Sequence, residues 1–251
     1  MNIVVLVKQT PDMNAVKIDR ASGKPVLSGQ NVVSSYDAYA IEEALQLRNA
    51  HGGEAIVVTA GPASAKDAIT RALAMGADRG VHIEIDDPNQ LDTLALADLL
   101  AAQIRPLAAD LILAGQTADD YESGQVGAEV AELLGVPVIS NVVGLDVQNR
   151  RAIVRRDMED GYQTVETPLP AVVLASTGLN EPRLPSLKGI MAAKKKPIER
   201  IAADAVPSAN RATWSEPVAP ERSARGVIVQ DQPAAEAADR LIGWLQEHKL
   251  I

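Results

Sequence analysis

The chain contains no cysteine and only three histidines, which excludes several kinds of site. Without cysteine there is no disulfide, no thiol nucleophile, no zinc–cysteine cluster and no cysteine-ligated iron–sulfur centre. His51, His82 and His248 lie far apart in the sequence, and none stands in a pattern typical of metal ligands. We therefore predict no metal site.

Aromatic residues supply 2% of the chain and phenylalanine is absent, so a core must be built from Val, Ile, Leu and Ala. The formal net charge of -9 argues against nucleic acid as a partner, because phosphate backbones are bound by clustered Lys and Arg. No apolar run approaches the roughly 20 residues that cross a bilayer. The N-terminus shows no signal-peptide pattern. We expect a cytoplasmic protein with no membrane insertion.

Apolar runs alternate with helical patterns along much of the chain, which is typical of an α/β fold with a parallel sheet wrapped by helices. The predicted strands are residues 1–8, 54–60, 78–85, 110–114 and 170–175. The predicted helices are residues 38–50, a segment ending at Met75, and residues 92–105 and 125–134. The predicted α/β domain covers residues 1–180.

The sheet pattern changes after residue 142. Residues 143–155 and 162–167 predict an antiparallel ribbon that turns at residues 159–161, and a short hairpin is expected at residues 18–26. Beyond residue 175 the pattern predicts an extended arm that ends in a helix over residues 235–250. Prolines mark this arm at Pro182, Pro185, Pro197, Pro207, Pro217, Pro220 and Pro233. An arm of this length needs a surface to lie on, so we infer a partner subunit.

One stretch, residues 109–127, has the pattern of a nucleotide site. It is a buried strand that runs into a turn rich in Gly and hydroxyl groups and then into a helix. A helix that begins at the carboxyl edge of a parallel sheet offers unpaired backbone N–H groups to phosphate. Asp119 and Asp120 in this turn suit either magnesium binding or helix capping. The charged residues Arg155–Asp160 suit a solvated hairpin turn better than paired catalytic carboxylates.

Three further motifs carry a resemblance to a known family. They are Ala72–Gly80 (ALAMGADRG), the turn 155–161 (RRDMEDG) leading to 168–173 (PLPAVV), and Leu179–Arg183 (LNEPR) followed by 190–196 (IMAAKKK). Together they resemble the β subunit of electron-transfer flavoproteins, and the likeness covers the whole chain.

This resemblance implies a Rossmann-like fold of the adenine-nucleotide α-hydrolase-like type and a heterodimer with an α subunit that holds most of an FAD. The implied function is to shuttle electrons from acyl-CoA or other flavin dehydrogenases to a quinone oxidoreductase or another acceptor. The chemistry would belong to the flavin, so no catalytic side chain is expected in this chain. The β subunit of this family binds a second nucleotide, usually AMP and sometimes a second FAD.

The resemblance also implies which residues contact nucleotide and partner. The implied contacts are Leu6, Ser34, Ser35, Tyr36, Asp37, Ala60, Gly61, Gly115, Gln116, Thr117, Asp119, Ser123, Gly124, Gln125 and Val126. Tyr36 corresponds to an aromatic residue near the flavin of the α subunit. Residues 181–251 would form a recognition loop and an arm on the α subunit, and Leu187 would anchor the dehydrogenase. Lys194–Lys196 would either steer acidic partners or form a solvated face.

The chain departs from the family pattern in two places. Gln125-Val126-Gly127 resembles members that hold a second FAD and bifurcate electrons from NADH, whereas AMP-binding members usually show Gln-Thr-Gly. Ser34-Ser35 replaces an Asn-Pro pair, although serine also caps helices and donates to phosphate. AMP is the preferred second ligand, with FAD as the alternative.

Two alternative functions, each from a different class of protein, compete with the interpretation as an electron-transfer flavoprotein subunit. A stand-alone nucleotide-binding module resembling universal stress proteins would form a flavin-free homodimer, and the proline-rich arm argues against it. An ATP-pyrophosphatase would need a Ser-Gly-Gly-x-Asp-Ser loop after the first strand, where this chain has Lys8–Asp12 (KQTPD).

Overall fold

The structure is a computed structural model that describes residues 1–27, 29–203, 210–220 and 228–251. The chain divides into a larger unit, Met1–Pro217, and a C-terminal unit, Val218–Ile251. Pro207, one of the prolines assigned to the arm, lies outside the described residues. The predicted division between residues 180 and 181 stays a prediction. Among the described residues, no helix is long and apolar enough to cross a membrane.

The strands are β1 (Asn2–Leu6), β2 (Gln9–Pro11), β3 (Lys17–Ile18), β4 (Pro25–Val26), β5 (Asn31–Val33), β6 (Glu54–Gly61), β7 (Arg79–Glu84), β8 (Leu111–Gly115), β9 (Val138–Gln148), β10 (Arg151–Met158), β11 (Gly161–Pro168), β12 (Ala171–Ala175) and β13 (Ile198–Ala202). The helices are α1 (Ser35–His51), α2 (Lys66–Met75), α3 (Thr93–Ile104), α4 (Val126–Leu134), α5 (Leu187–Ala193) and α6 (Ala234–Glu247).

The larger unit is built on a nine-stranded sheet in the order β11-β10-β9-β12-β8-β1-β6-β7-β13. Neighbouring strands are parallel from β9 to β13 in this order. At the other edge, β10 pairs antiparallel with both β9 and β11, so β9, β10 and β11 form a three-stranded ribbon. The chain runs outward from β1 through β6 to β7, and then returns to β8 on the other side of β1. Doubly wound sheets bind ligands beside such a reversal, at the carboxyl ends of the strands. The α/β fold class is confirmed.

Side chains of β1 alternate between two apolar layers. Ile3 and Val5 face one cluster with residues of α1 and α2, whereas Val4 and Leu6 face the other with residues of α3 and α4. Both faces of the sheet are therefore covered, which explains why the parallel strands read as continuous apolar runs. The described core contains Val, Ile, Leu, Ala and Met side chains and no aromatic ones.

Two expectations about the strands were wrong. The ribbon has three strands, because the segment predicted as one strand over residues 143–155 turns at Asn149 and Arg150, both with positive φ (49° and 59°). The sheet also continues beyond residue 175, since β13 pairs with β7 and the short helix α5 precedes it. The hairpin expected at residues 18–26 is present as β3 and β4.

Candidate nucleotide site and docking segment

A cavity of about 680 Å³ opens at the carboxyl ends of β1, β6 and β8, beside the reversal of strand order. Its size lies within the range of about 300–1,000 Å³ that is usual for cofactor sites. The start of α4 and the segment between β1 and α1 complete its walls. The sequence-predicted residues that line it are Leu6, Asp37, Ala60, Gly61, Gly115, Gln116, Thr117, Ser123, Gly124, Gln125 and Val126. The fold thus brings most of the predicted nucleotide contacts into one cavity.

The predicted contacts Ser34, Ser35, Tyr36 and Asp119 do not line the cavity. The Asp119 carboxylate accepts hydrogen bonds from the backbone N–H (2.7 Å) and the hydroxyl (2.6 Å) of Ser35, the first residue of α1. The Asp119 N–H donates in turn to Ser34 Oγ (3.3 Å). A carboxylate of the same chain therefore occupies the positive end of the α1 dipole. In the described chain no cluster of three or more His, Asp or Glu is placed to hold a metal.

Asp37 joins three elements at the floor of the cavity. This buried side chain of α1 accepts backbone hydrogen bonds from Lys8 (2.7 Å), just after β1, and from Gly115 (2.9 Å), at the end of β8. Burial raises the pKa of Asp37 to about 7 against the opposing effect of these two bonds. A Cβ at position 115 would lie 2.6 Å from Asp37 Oδ1, so only glycine allows this contact.

The start of α4 is the feature of the cavity best suited to an anion. Gln125 is the N-cap and its side chain makes no capping hydrogen bond, so the backbone N–H groups of the first turn have no side-chain partner in the described part of the chain. Gly124 has a φ of 63°, which turns the chain sharply into the helix. A Cβ at Gly127 would lie 2.5 Å from Leu174 Cδ2, so a side chain at this position would require the buried Leu174 side chain of β12 to shift.

Two neighbouring side chains at the end of β8 differ in whether their hydrogen bonds are made. Gln116 Oε1 accepts from the Asn141 N–H (2.6 Å), so this side chain supports the wall. Thr117 Oγ1 is buried and has no hydrogen-bond partner among the described residues. A buried hydroxyl group needs a polar partner for its hydrogen bond, and a ligand in the adjoining cavity could supply one. Thr117 and the start of α4 therefore suit a ligand with phosphate or sugar hydroxyl groups.

Lys8 is a cavity residue that sequence reasoning missed. It is the only Lys or Arg among the described residues of the walls, which also carry Asp37, Asp86, Asp87 and Asp120. Its ammonium group pairs with the Asp120 carboxylate (2.7 Å). The signal for Lys8 was its place at the end of the predicted first strand, because the carboxyl edge of a parallel sheet binds ligands.

Sequence reasoning also missed an apolar side of the cavity. The segment between β1 and α1 contributes Met13, Val16, Ile18 and Leu27 to the walls. Of these, Met13, Ile18 and Leu27 are exposed. The cavity therefore combines a polar end at β8 and α4 with an apolar side.

The segment before α5 is attached to α1 by paired polar contacts. Arg183 donates to both carboxylate oxygens of Glu42 (2.6 and 2.7 Å), and the Asn180 amide donates to Glu43 (2.9 Å). Burial tends to raise the pKa of Glu42, but its hydrogen bonds with Arg183 and Gln46 hold it below the ordinary value. For Glu43, burial dominates and raises the pKa. These contacts position the residues that lead to α5.

Leu187 is the first residue of α5, and its side chain is 79% exposed. An exposed apolar side chain on an attached segment is what the anchor hypothesis requires. Lys196 donates to Leu73 O (3.1 Å) and to Ala77 O beyond the end of α2, and its burial lowers its pKa. Lys194 and Lys195 are exposed.

The charged turn of the ribbon is exposed over Asp157–Asp160. Arg155 lies over the ring of Tyr162, with 4.9 Å from its guanidinium carbon to the ring centroid. These charges stand on a solvated hairpin and take no part in the cavity, whose walls are formed by other residues.

Comparisons of the sequence with known proteins point to one family. A family model described as electron transfer flavoprotein domain matches residues 26–206. The electron transfer flavoprotein subunit beta of Bacillus subtilis is 38% identical over the full length of both chains. The subunit of the same name from Syntrophomonas wolfei is 40% identical, over 98% of this chain and 96% of the relative. The caffeyl-CoA reductase-Etf complex subunit CarD of Acetobacterium woodii is 39% identical, over 79% and 77% respectively.

Proposed function

The chain belongs to the electron transfer flavoprotein β-subunit family, and from that membership we propose that it binds AMP and pairs with an α subunit that holds most of an FAD. The heterodimer would take electrons from acyl-CoA or other flavin dehydrogenases and pass them to a quinone oxidoreductase or another acceptor. The FAD supplies the redox-active ring. This chain would hold the nucleotide, the α subunit and the docking partner, in the cytoplasm.

The start of α4 is the observation that carries AMP binding. Its uncapped first turn faces the cavity, and Thr117 adds a buried hydroxyl without a partner. The start of α1 is already occupied by the Asp119 carboxylate. An open helix start suits the phosphate group of a nucleotide. AMP held here would join the ends of β1, β6 and β8, and so would brace the fold.

The C-terminal unit offers a surface for the α subunit. No side chain of α6 is buried, and its apolar residues Leu241, Ile242 and Trp244 are 41–56% exposed. An amphipathic helix with an exposed apolar stripe is typical of an element that packs on a partner. We therefore assign this helix to the contact with the α subunit. From the family resemblance, we assign Tyr36 to the contact with the flavin of that subunit.

A second FAD is the alternative ligand, and two observations favour it. The cavity volume of about 680 Å³ and its apolar side leave room for a ring system beyond AMP. Gln125-Val126-Gly127 opens α4 as in bifurcating members. In that case the chain would belong to a bifurcating flavoprotein that accepts hydride from NADH. One relative is named as a subunit of a reductase–Etf complex.

Nucleotide extraction from the purified heterodimer tests these assignments. Acid release followed by chromatography should yield one FAD and one AMP per heterodimer. Two FAD without AMP would replace AMP with the alternative ligand, and a single FAD with no other nucleotide would refute the nucleotide site.

A matched pair of variants tests whether the cavity holds the AMP. Thr117→Val removes the unpartnered hydroxyl and should lower the AMP content while the FAD content stays constant. Thr70→Val is the control, because the Thr70 hydroxyl bonds within α2 and does not line the cavity. An equal AMP content in both variants would show that Thr117 does not contribute to the site.

A further inference from the structure

Residues 210–217, which we call the strap, are attached to residues 90–92 by several hydrogen bonds, of which two are accepted by the Asp92 carboxylate. Asp92 accepts hydrogen bonds from the backbone N–H groups of Arg211 (2.5 Å) and Ala212 (2.9 Å). The same side chain caps α3 by accepting from the Ala95 N–H (2.8 Å). These three backbone bonds hold the pKa of Asp92 below its ordinary value. The strap therefore has a defined attachment beside the start of a helix.

Trp214 of the strap packs on Tyr121, a residue of the cavity wall. The two ring centroids lie 4.7 Å apart with an angle of 38° between the planes. The Trp214 indole N–H donates to Leu91 O (2.9 Å), and the Tyr121 hydroxyl donates to Asn89 Oδ1 (3.1 Å). Both rings are therefore held by a hydrogen bond as well as by their mutual contact.

Tyr121 in turn contacts the single cation of the described walls. The Lys8 ammonium lies 5.0 Å from the centroid of the Tyr121 ring and 2.7 Å from the Asp120 carboxylate. A cation over an aromatic face is attracted by the ring quadrupole. Trp214, Tyr121 and Lys8 thus form one continuous chain of contacts from the strap into the cavity.

The far end of the strap reaches the hairpin of β3 and β4. Glu216 pairs with Lys24 (2.5 Å), which directly precedes β4, and Pro217 lines the cavity. Both charged side chains are largely exposed, so this ion pair contributes little stability. It does show that the strap extends from Asp92 to this hairpin.

We propose that the strap positions the cation of the nucleotide cavity, with Trp214 acting through Tyr121 to hold Lys8 where it contacts the phosphate of the bound nucleotide. This inference rests on the proposed nucleotide site. Among walls that otherwise carry carboxylates, a phosphate needs a positive charge as well as the start of α4. A free lysine side chain loses much rotamer entropy on binding, and a lysine that is already held loses less. Trp214 is therefore a positioning residue for phosphate binding.

Isothermal titration of the full-length chain, purified with its α subunit and freed of the second nucleotide, compares AMP with adenosine. Lys8→Met should weaken AMP binding roughly tenfold and change adenosine binding less than twofold, because only AMP carries the phosphate. Trp214→Ala should reproduce this pattern, and Trp214→Phe should restore AMP binding because it keeps a ring against Tyr121. Lys66→Met is the matched control, since Lys66 is exposed on α2 and does not line the cavity.

The ratio of the AMP affinity to the adenosine affinity distinguishes positioning of Lys8 from general support of the fold. Equal losses of AMP and adenosine binding in Trp214→Ala would overturn the inference, as would unchanged AMP binding in Lys8→Met or Trp214→Ala. If the wild type binds FAD in place of AMP, the same two variants should weaken FAD binding and Lys66→Met should not. If the wild type binds none of AMP, adenosine and FAD, the proposed nucleotide site itself is refuted. Titrations of the wild type alone give this result, so it is distinct from a failure of the positioning inference, which the variants test.

Discussion

At the residue scale, Asp37 shows how a side chain can support a site without a catalytic role. Its carboxylate connects the ends of β1 and β8 at the place where the strand order reverses. The sequence offered Ser34 and Ser35 as helix-capping groups, but Ser34 makes no side-chain capping hydrogen bond, and the Asp119 carboxylate accepts from the Ser35 N–H instead. Local pattern could not show this, because Asp119 lies 84 residues from Ser35 in the sequence.

The raised pKa of Asp37 predicts a pH-dependent part of the stability. The pKa is about 7 in the folded chain against 3.8 for the unperturbed group, so between these values the folded state holds a proton that the unfolded state has lost. The Asp37 contribution to the free energy of unfolding therefore falls as pH rises from about 4 to 7. Between pH 5 and pH 8 the fall should be roughly 2–3 kcal/mol.

Urea unfolding of the wild type and of Asp37→Asn at pH 5, 6, 7 and 8 measures this contribution. The other titrating groups are common to both proteins, so the difference between them isolates Asp37. The advantage of the wild type should shrink as pH rises and become constant above pH 8. A difference that does not change with pH would contradict the assignment.

Leu187 carries the prediction about docking. Leu187→Ala removes an apolar side chain that is 79% exposed, so folding should be unaffected, while reduction of the heterodimer by its dehydrogenase should slow roughly tenfold. Stopped-flow reduction of the flavin measures the rate. Leu184→Ala is the matched control, because Leu184 is 81% exposed in the same segment. Equal rates for wild type and Leu187→Ala, at equal flavin content, would eliminate the anchor.

At the element scale, the turn between β9 and β10 explains why the ribbon was predicted with too few strands. Asn149 and Arg150 both adopt positive φ, the conformation of the two-residue hairpin turns that favour Asn-Gly. Because Arg150 stands where glycine is usual, the sequence lacks the Asn-Gly pair by which such a turn is predicted. β13 was missed for a different reason: its residues are exposed or half-buried at the sheet edge, so the segment lacks a buried apolar run.

The same turn predicts a stabilising substitution. Arg150→Gly removes a side chain from the left-handed region, which should stabilise the chain by about 1 kcal/mol. The only ion pair lost is that of Arg150 with Asp110 among the described residues, at 3.4 Å and with Arg150 largely exposed, so it contributes little. Thermal unfolding should show a midpoint roughly 2–4 °C higher. Arg150→Ala retains the strain and should give no gain; an equal gain there would contradict the explanation.

At the scale of the whole molecule, the alternation of strands and helices predicted which edge of the sheet would carry a site. Alternation of strands and helices predicts a parallel sheet, and a parallel sheet places its binding crevice at the carboxyl ends of the strands. The amino-acid pattern therefore predicts a nucleotide site over residues 109–127, and the family resemblance adds Leu6 at the end of the first strand. Lys8 could not be connected to Asp120 or, through Tyr121, to the strap, because those contacts join residues more than 90 positions apart. The apolar pattern of the sequence predicts the strands and helices. Side-chain contacts between distant loops depend instead on how those loops fold over the sheet.

Because a ligand in the cavity would contact the ends of β1, β6 and β8 together, nucleotide binding should stabilise the larger unit as a whole. A ligand at about one hundred times its dissociation constant adds about 2.7 kcal/mol to the free energy of unfolding. For a chain of this size, the unfolding midpoint of the full-length protein should rise roughly 5–10 °C with AMP, as followed by circular dichroism. Adenosine at the same concentration should give a smaller rise, because it lacks the phosphate that the start of α4 and Lys8 are placed to contact. An equal rise with adenosine would show that these groups do not bind the phosphate, and no rise with AMP would show that the cavity does not brace the sheet.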